Sequence, residues 1–131
     1  MSERPTDEWR RDVREEAEAI RAGTLTQEEA YAAELWPSGF ITAVDGALDA
    51  YEADVRAFRT PSDEEVLVAV QRVVLALNAI DEEHGNIETG EREQLCEYVD
   101  DVLTAAGIDV GALTARRGID RTELTDSWRD W

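Results

Sequence analysis

The sequence contains no lysine, one cysteine and one histidine, and each scarcity removes a kind of chemistry. Without lysine, Schiff-base and P-loop mechanisms are excluded. Cys96 has no second cysteine for an internal disulfide, which fits a reducing compartment, and Cys96 with His84 cannot supply the three or four ligands of a zinc site. No apolar run approaches the ~20 residues that cross a bilayer, and the first residues contain no signal-peptide segment. We therefore expect a soluble, cytoplasmic protein.

Catalytic motifs are equally scarce. The chain has no Gly-rich phosphate loop and no G-x-S-x-G elbow. Cys96 and His84 are the only cysteine–histidine pairing, and Cys96 lies one position off an apolar helical stripe, where a cysteine usually serves packing. We therefore predict no catalytic residue, no cofactor-binding residue and no cofactor.

Negative charge is what the sequence has in abundance. Thirty-one acidic and thirteen basic residues among 131 give a formal net charge of −18 and a pI near 4.2. Nucleic acids and anionic membranes carry the same sign, so we expect neither as a partner. Two explanations of the charge remain open: a composition set by a GC-rich genome or a salty cytoplasm, or a surface that meets a basic protein.

Start and stop signals divide the chain into segments with apolar residues at helical spacing. Gly23 suits the end of a first helix, Thr26 and Glu29 form a capping-box pattern that opens a second, and Asp109 and Asp120 can each cap a terminal one. The predicted helices are 5–21, 26–35, 40–59, 63–83, 89–106, 110–116 and 121–128. We expect an all-α protein, a single-domain bundle of about five to seven helices covering residues 1–131.

The segment 63–83 is the most apolar and is the one place where a strand competes with a helix. Its β-branched residues favour sheet, but Ser62 and Glu65 form a capping box, and the run exceeds a typical strand of about five or six residues. Apolar residues cover two adjoining helical faces: Leu67, Val70, Val74 and Leu77 on one, and Val66, Ala69, Val73, Ala76 and Ile80 on the other. A helix that is apolar on two faces has neighbours on both, which predicts a central, strongly buried helix.

The stretch IDEEHGNIETGE, residues 80–91, has the spacing of the second half of an EF-hand loop, with Gly85 followed by Glu91. Two of the three leading oxygen ligands are missing, and starting the loop one residue later places Arg92 at the bidentate position. The same residues suit a connector between helices: Gly85 ends one helix, Thr89 caps the next, and Glu91 lies in a first turn where the helix dipole favours an anion. We therefore predict no metal site.

Acidic residues concentrate at the end of the hairpin formed by the fourth and fifth predicted helices. They close the fourth helix, cross the turn and continue along one side of the fifth. A run of charge is commonly a solvated face, but like charges this dense repel one another, which makes a basic partner a reasonable alternative. The candidate partner-binding residues here are Asp81, Glu82, Glu83, Glu88, Glu91, Glu93 and Glu97.

Two tryptophans, Trp128 and Trp131, lie in the last four residues, where chains usually fray. Either they fold back and anchor the tail on the bundle, or they offer an exposed edge for a partner. Both are therefore candidate partner-binding residues as well.

In composition and size the chain resembles bacterial toxin-neutralising immunity proteins and nucleic-acid mimics, small acidic helical bundles that present carboxylates to a basic partner. No motif carries this resemblance, so it assigns no role to any residue.

The first hypothesis is a non-enzymatic acidic protein–protein interaction module, of the inhibitor or immunity type, that meets a basic protein. The second is an assembly or regulatory subunit that binds through an apolar groove and the C-terminal aromatics, and the third is a small-ligand binder or enzyme with an unrecognised pocket. Nothing in the sequence fixes the oligomeric state.

Overall fold

Short connections arrange the chain as successive helices. The computed structural model describes residues 3–131, and in that range it contains helices and turns but no strand. The all-α bundle of five to seven helices is thus confirmed. The helices are α1 (Pro5–Ala22), α2 (Ala32–Leu35), α3 (Ser38–Arg56), α4 (Asp63–His84), α5 (Thr89–Ala105) and α6 (Val110–Arg116), followed by a 3-10 turn at Arg121–Glu123.

Helix α4 has the caps that the sequence predicts. The backbone N–H of Glu65 donates to Ser62 Oγ over 3.1 Å, and Glu65 accepts from the backbone of Ser62 in return. At the other end Gly85 adopts a φ of 69°, a left-handed conformation that glycine takes without steric cost. Because both ends are satisfied locally, the apolar run forms a helix rather than a strand.

The second predicted helix, 26–35, is wrong over most of its length. Thr26 and Glu29 do form their reciprocal hydrogen bonds, but these close only a turn, and α2 is confined to its last four residues. The cause is a tertiary contact: the carboxylate of Glu16 on α1 accepts the backbone N–H groups of Tyr31 and Ala32. Those two N–H groups are therefore unavailable to a helix that begins at Thr26.

Other helix boundaries also differ from the prediction. Helix α3 runs from Ser38 to Arg56 rather than over 40–59, and Glu88 rather than Thr89 is the N-cap of α5. The predicted helix 121–128 is reduced to a 3-10 turn at its beginning. The residues after this turn pack against α4, where the Asn78 side chain forms hydrogen bonds with the backbone of Trp128 and Asp130.

The core forms between α3 and the helices around it. Helix α3 packs against α1, α4 and α5, and so shares the middle of the bundle with α4. Both apolar faces of α4 enter the core, most completely at Val70, Val74 and Leu77, while Leu67 is only half-buried. One side of α4 meets α3 and the other receives the C-terminal segment, which explains its two-sided apolar pattern.

None of the helices within residues 3–131 combines the length and the apolarity needed to cross a membrane.

Candidate functional site

The turn between α4 and α5 uses two of the candidate carboxylates for its own structure. Asp81 Oδ1 accepts the backbone N–H of Ile87 over 3.1 Å. Glu91 Oε1 accepts the backbone N–H of Glu88 over 3.0 Å, and Glu91 Oε2 accepts the indole N–H of Trp36 over 3.3 Å. Glu91 is only 9% exposed as a result. Both acids therefore stabilise the turn, and Glu91 is also largely withdrawn from solvent.

The same hydrogen bonds occupy the residue that the EF-hand-like spacing of residues 80–91 would assign to calcium. The carboxylate of Glu91, which would be the bidentate calcium ligand of an EF-hand, is occupied by two protein donors. In the described part of the chain no three His, Cys, Asp or Glu side chains are grouped so as to hold a metal ion.

The remaining acids of the candidate set point outward. Glu82, Glu83 and Glu88 are exposed around the turn, and Glu93 and Glu97 are exposed along α5. None of these five carboxylates pairs with an arginine of residues 3–131. Their negative charge is therefore not neutralised within the described fold.

The arginines pair elsewhere, most densely where the start of α1 meets α3. Arg4 lies 2.6 Å from both Asp49 and Glu52, and the Tyr98 hydroxyl donates to Glu52 over 3.0 Å. Burial works to raise the pKa of Asp45, but hydrogen bonds from Thr6 and Arg10, together with the charges of Arg10 and Arg4, hold it below its usual range. This network fixes the start of α1 on α3. Its partners lie about 40 residues or more apart, so no local pattern indicates it.

Helix α2 lies directly beside the acidic turn. The Asn86 side chain donates to the carbonyl oxygens of Leu35 and Glu34 over 3.0 and 3.4 Å, and the Trp36–Glu91 bond adds a second connection. Two large apolar side chains of this segment are exposed, Tyr31 by 60% and Leu35 by 38%. Sequence reasoning missed both, because the contact with Glu16 that shortens the predicted helix 26–35 joins residues too far apart for a local pattern to show it.

An open pocket of about 400 Å³ separates α1 from α2. Apolar atoms of Ala19, Leu25 and Ala32 line it together with the aromatic side chains of Tyr31 and Trp36. Asp12, Glu15 and Glu16 of α1 add carboxylates to the same lining. The pocket therefore combines aromatic surface with negative charge.

A second groove, of about 650 Å³, runs between α5 and the C-terminal segment. Two of its arginines are held by carboxylates: Arg121 binds Asp100 through two bonds of 2.7 and 2.8 Å, and Arg129 binds Asp126 over 2.7 Å. The Cys96 sulfur lies 3.4 Å from Thr125 Oγ1 in this groove.

The chain's single histidine, His84, lies away from Cys96, against the ring of Phe40 at a centroid distance of 5.9 Å. The thiol and the imidazole are thus not brought together as a nucleophile and its base.

The C-terminal tryptophans fold back onto the bundle, which is the first of the two arrangements considered from the sequence. Trp131 is 7% exposed and belongs to the core, and Trp128 is half-buried against it. The guanidinium of Arg129 covers the Trp131 ring at 5.4 Å from its centroid. Asn78 holds the backbone on either side of Arg129, through Trp128 O and Asp130 N.

The candidate partner-binding residues thus divide into two groups. The outward-facing group consists of Glu82, Glu83, Glu88, Glu93 and Glu97, and the group engaged in the fold consists of Asp81, Glu91, Trp128 and Trp131. No family model, curated protein or solved structure matches the chain.

Proposed function

We propose that this protein is a non-enzymatic acidic interaction module, of the inhibitor or immunity type, that binds a basic protein through the α4–α5 hairpin end. One observation carries the proposal: the outward carboxylates of the turn and of α5 are unpaired with arginine in residues 3–131, while Arg4, Arg116 and Arg121 pair at other places. The five outward carboxylates of the α4–α5 hairpin therefore keep their negative charge.

Unpaired carboxylates of this density lower stability through mutual repulsion. A basic partner relieves that repulsion, and complementary charge mainly raises the rate of association. The turn itself is held by partly buried hydrogen bonds to the carboxylates of Asp81 and Glu91, which fix the backbone that carries the outward acids. A fixed array loses little conformational entropy when a partner binds.

The experiment is an affinity pull-down from the source cells at low salt and at about 0.5 M salt, where the Debye length is only a few ångströms. Three baits are compared. They are the wild-type protein, a Glu83→Lys/Glu93→Lys variant, and a control variant, Glu18→Lys/Asp130→Lys, in which two exposed acids outside the hairpin end are reversed. Circular dichroism checks that all three keep their helical content. We expect a basic protein that the wild type and the matched control retain at low salt and that high salt releases.

Association rates measured with the captured protein complete the test. Reversal at Glu83 and Glu93 is expected to slow association and flatten its salt dependence, whereas the control is expected to change it less. The proposal fails if association ignores Glu83→Lys/Glu93→Lys but collapses on Trp128→Ala. That result moves the interface to the C-terminal aromatics and favours an assembly subunit.

A further inference from the structure

The backbone that carries the exposed Tyr31 ring is fixed by hydrogen bonds. The N–H groups of Tyr31 and Ala32 both donate to the carboxylate of Glu16, over 3.2 and 2.6 Å. This anchors the start of α2 on α1 while the Tyr31 side chain stays 60% exposed. An exposed aromatic ring on a fixed backbone is characteristic of an interface anchor, because little freedom is lost on binding.

The side chain of Trp36, the other aromatic residue of the pocket, is fixed by its own contacts. The Trp36 indole stacks on Trp9 at a centroid distance of 6.0 Å and an interplanar angle of 8°, and Trp9 stacks on Phe40 in turn. The Trp36 N–H is fixed by Glu91. Trp36 therefore presents a preorganised aromatic surface to the pocket.

The negative charge of its lining determines which ligand this pocket favours. Asp12 and Glu15 line it, and neither pairs with an arginine in the described range of the chain. A cation gains from these carboxylates and from the aromatic faces of Tyr31 and Trp36. The aliphatic stem of an arginine or lysine gains from the apolar lining at the same time, since such side chains bury the stem and keep the charge near polar groups.

The pocket also adjoins the surface of the proposed function. Asn86 donates to Leu35 O, and Trp36, which lines the pocket, donates to Glu91, so the turn between α4 and α5 lies beside the end of α2. An aromatic anchor with a charged surround matches the anatomy of specific protein interfaces.

We propose that the pocket between α1 and α2 receives an arginine or lysine side chain of the basic partner, with Tyr31 and Trp36 against its stem and Asp12 and Glu15 facing its charge. The inference rests on the proposed function and deepens it by naming the anchor point. The occupant is a cationic side chain in a basic protein segment.

The test is an NMR titration of the ¹⁵N-labelled full chain with a short peptide that alternates arginine and glycine, at about 150 mM salt, where the Debye length is ~8 Å. The control peptide replaces each arginine with citrulline, which keeps the shape and removes the charge. We expect the arginine peptide to shift the Trp36 indole N–H signal and the amides of residues 12–16 and 30–36 most strongly. The citrulline peptide is expected to leave them nearly unchanged.

Three variants locate the binding energy. Tyr31→Ala is expected to weaken the arginine peptide at least about threefold, the effect of losing one exposed cation–π contact. Asp12→Asn/Glu15→Gln is expected to weaken it more than Asp7→Asn/Asp130→Asn, which removes the same charge at exposed positions outside the pocket. Because Tyr31 is exposed, its replacement leaves the core in place, and circular dichroism verifies this.

The inference is overturned if the peptide shifts centre on α5 around Glu93 and Glu97, or if Tyr31→Ala binds like the wild type. It is also overturned if the arginine and citrulline peptides behave alike. The proposed function is judged separately by the pull-down, whose variants lie outside this pocket. A salt-sensitive basic partner retained there leaves the proposed function standing when the pocket fails.

Discussion

The indole N–H of Trp36 donates a hydrogen bond to the carboxylate of Glu91 across 3.3 Å and so joins the end of α2 to the first turn of α5. The same carboxylate accepts the backbone N–H of Glu88 at the N-terminus of α5. A residue whose spacing from Gly85 imitates a calcium loop is therefore used to position α2. The exposed Tyr31 and Leu35 are held at this end of the bundle partly by that bond.

Glu91→Gln tests the structural role of this carboxylate. Each oxygen of the Glu91 carboxylate accepts one of the two bonds, and Gln replaces one of these oxygens with an NH2 group that cannot accept, so we expect a loss of about 1–2 kcal/mol in the free energy of unfolding. Urea denaturation measures it. Glu93→Gln, an exposed change in the same helix, should stay within about 0.5 kcal/mol of the wild type. Equal stabilities for the two variants would contradict the buried role of Glu91.

Calcium is expected to leave the melting temperature nearly unchanged. Millimolar calcium should produce only the general screening that magnesium reproduces, because Asp81 and Glu91 are bound to protein donors. Differential scanning calorimetry with each ion in turn provides the comparison. A rise specific to calcium and abolished by Glu91→Gln would show that the loop is a metal site.

Two leucines on α4 provide a test of its packing, because one is buried and the other is exposed. Leu77 is fully buried, whereas Leu75 is 47% exposed on the same helix. We expect Leu77→Ala to lower the free energy of unfolding by about 2–5 kcal/mol through lost burial and the cavity left behind. Leu75→Ala should have a much smaller effect, and Leu67→Ala, at a half-buried position, an intermediate one. Similar losses for Leu75→Ala and Leu77→Ala would contradict the packing of α4.

The amide of Asn78 holds the C-terminal segment. It donates to Trp128 O over 2.7 Å and accepts from Asp130 N over 2.9 Å. Asn78→Ala should reduce stability by about 1–3 kcal/mol and speed amide exchange in residues 128–131. Gln71→Ala, at a half-buried position of the same helix, is the matched control. If exchange in the tail is unaltered by Asn78→Ala, the tail is held by the Trp131 side chain alone.

The pairing of Asp100 with Arg121 predicts a dependence of stability on pH. The hydrogen bond from Arg121 holds the pKa of Asp100 below its usual range. The folded pKa therefore lies below the unfolded value of about 4, so the pairing stabilises the fold above that pH and its contribution is lost as the pH falls through the folded pKa. Asp100→Asn should be less stable than the wild type at pH 7.

Urea denaturation across this range provides the measurement. The difference between Asp100→Asn and the wild type should shrink steadily as the pH is lowered from 5 to about 2. Asp130→Asn, at an exposed position, is the control and should show little difference at any pH. A difference for Asp100→Asn that stays constant over the titration would indicate a loss of packing rather than of ion pairing.

Much of the helical framework could be predicted because its signals are local. The Ser62–Glu65 capping box, the left-handed Gly85 and the apolar spacing within α4 each involve residues three or four positions apart. Such interactions form wherever the chain becomes helical, so their pattern is visible in the sequence. The exposure of Glu82 and Glu83 also follows from helical spacing, since both face away from the apolar side of α4.

The tertiary structure decided which residues that are distant in the sequence come into contact. The capture of the Tyr31 and Ala32 N–H groups by Glu16 replaced a predicted helix with a turn and left Tyr31 exposed. Likewise the burial of Trp131 and the engagement of Glu91 by Trp36 depend on elements that meet only after the chain has folded. The sequence alone determined the caps of α4, the helical period and the net charge, because these depend on near neighbours or on composition. Which carboxylates are neutralised, and which remain free at the hairpin end, was decided by packing, because an arginine can pair only with the acids that the fold brings within reach.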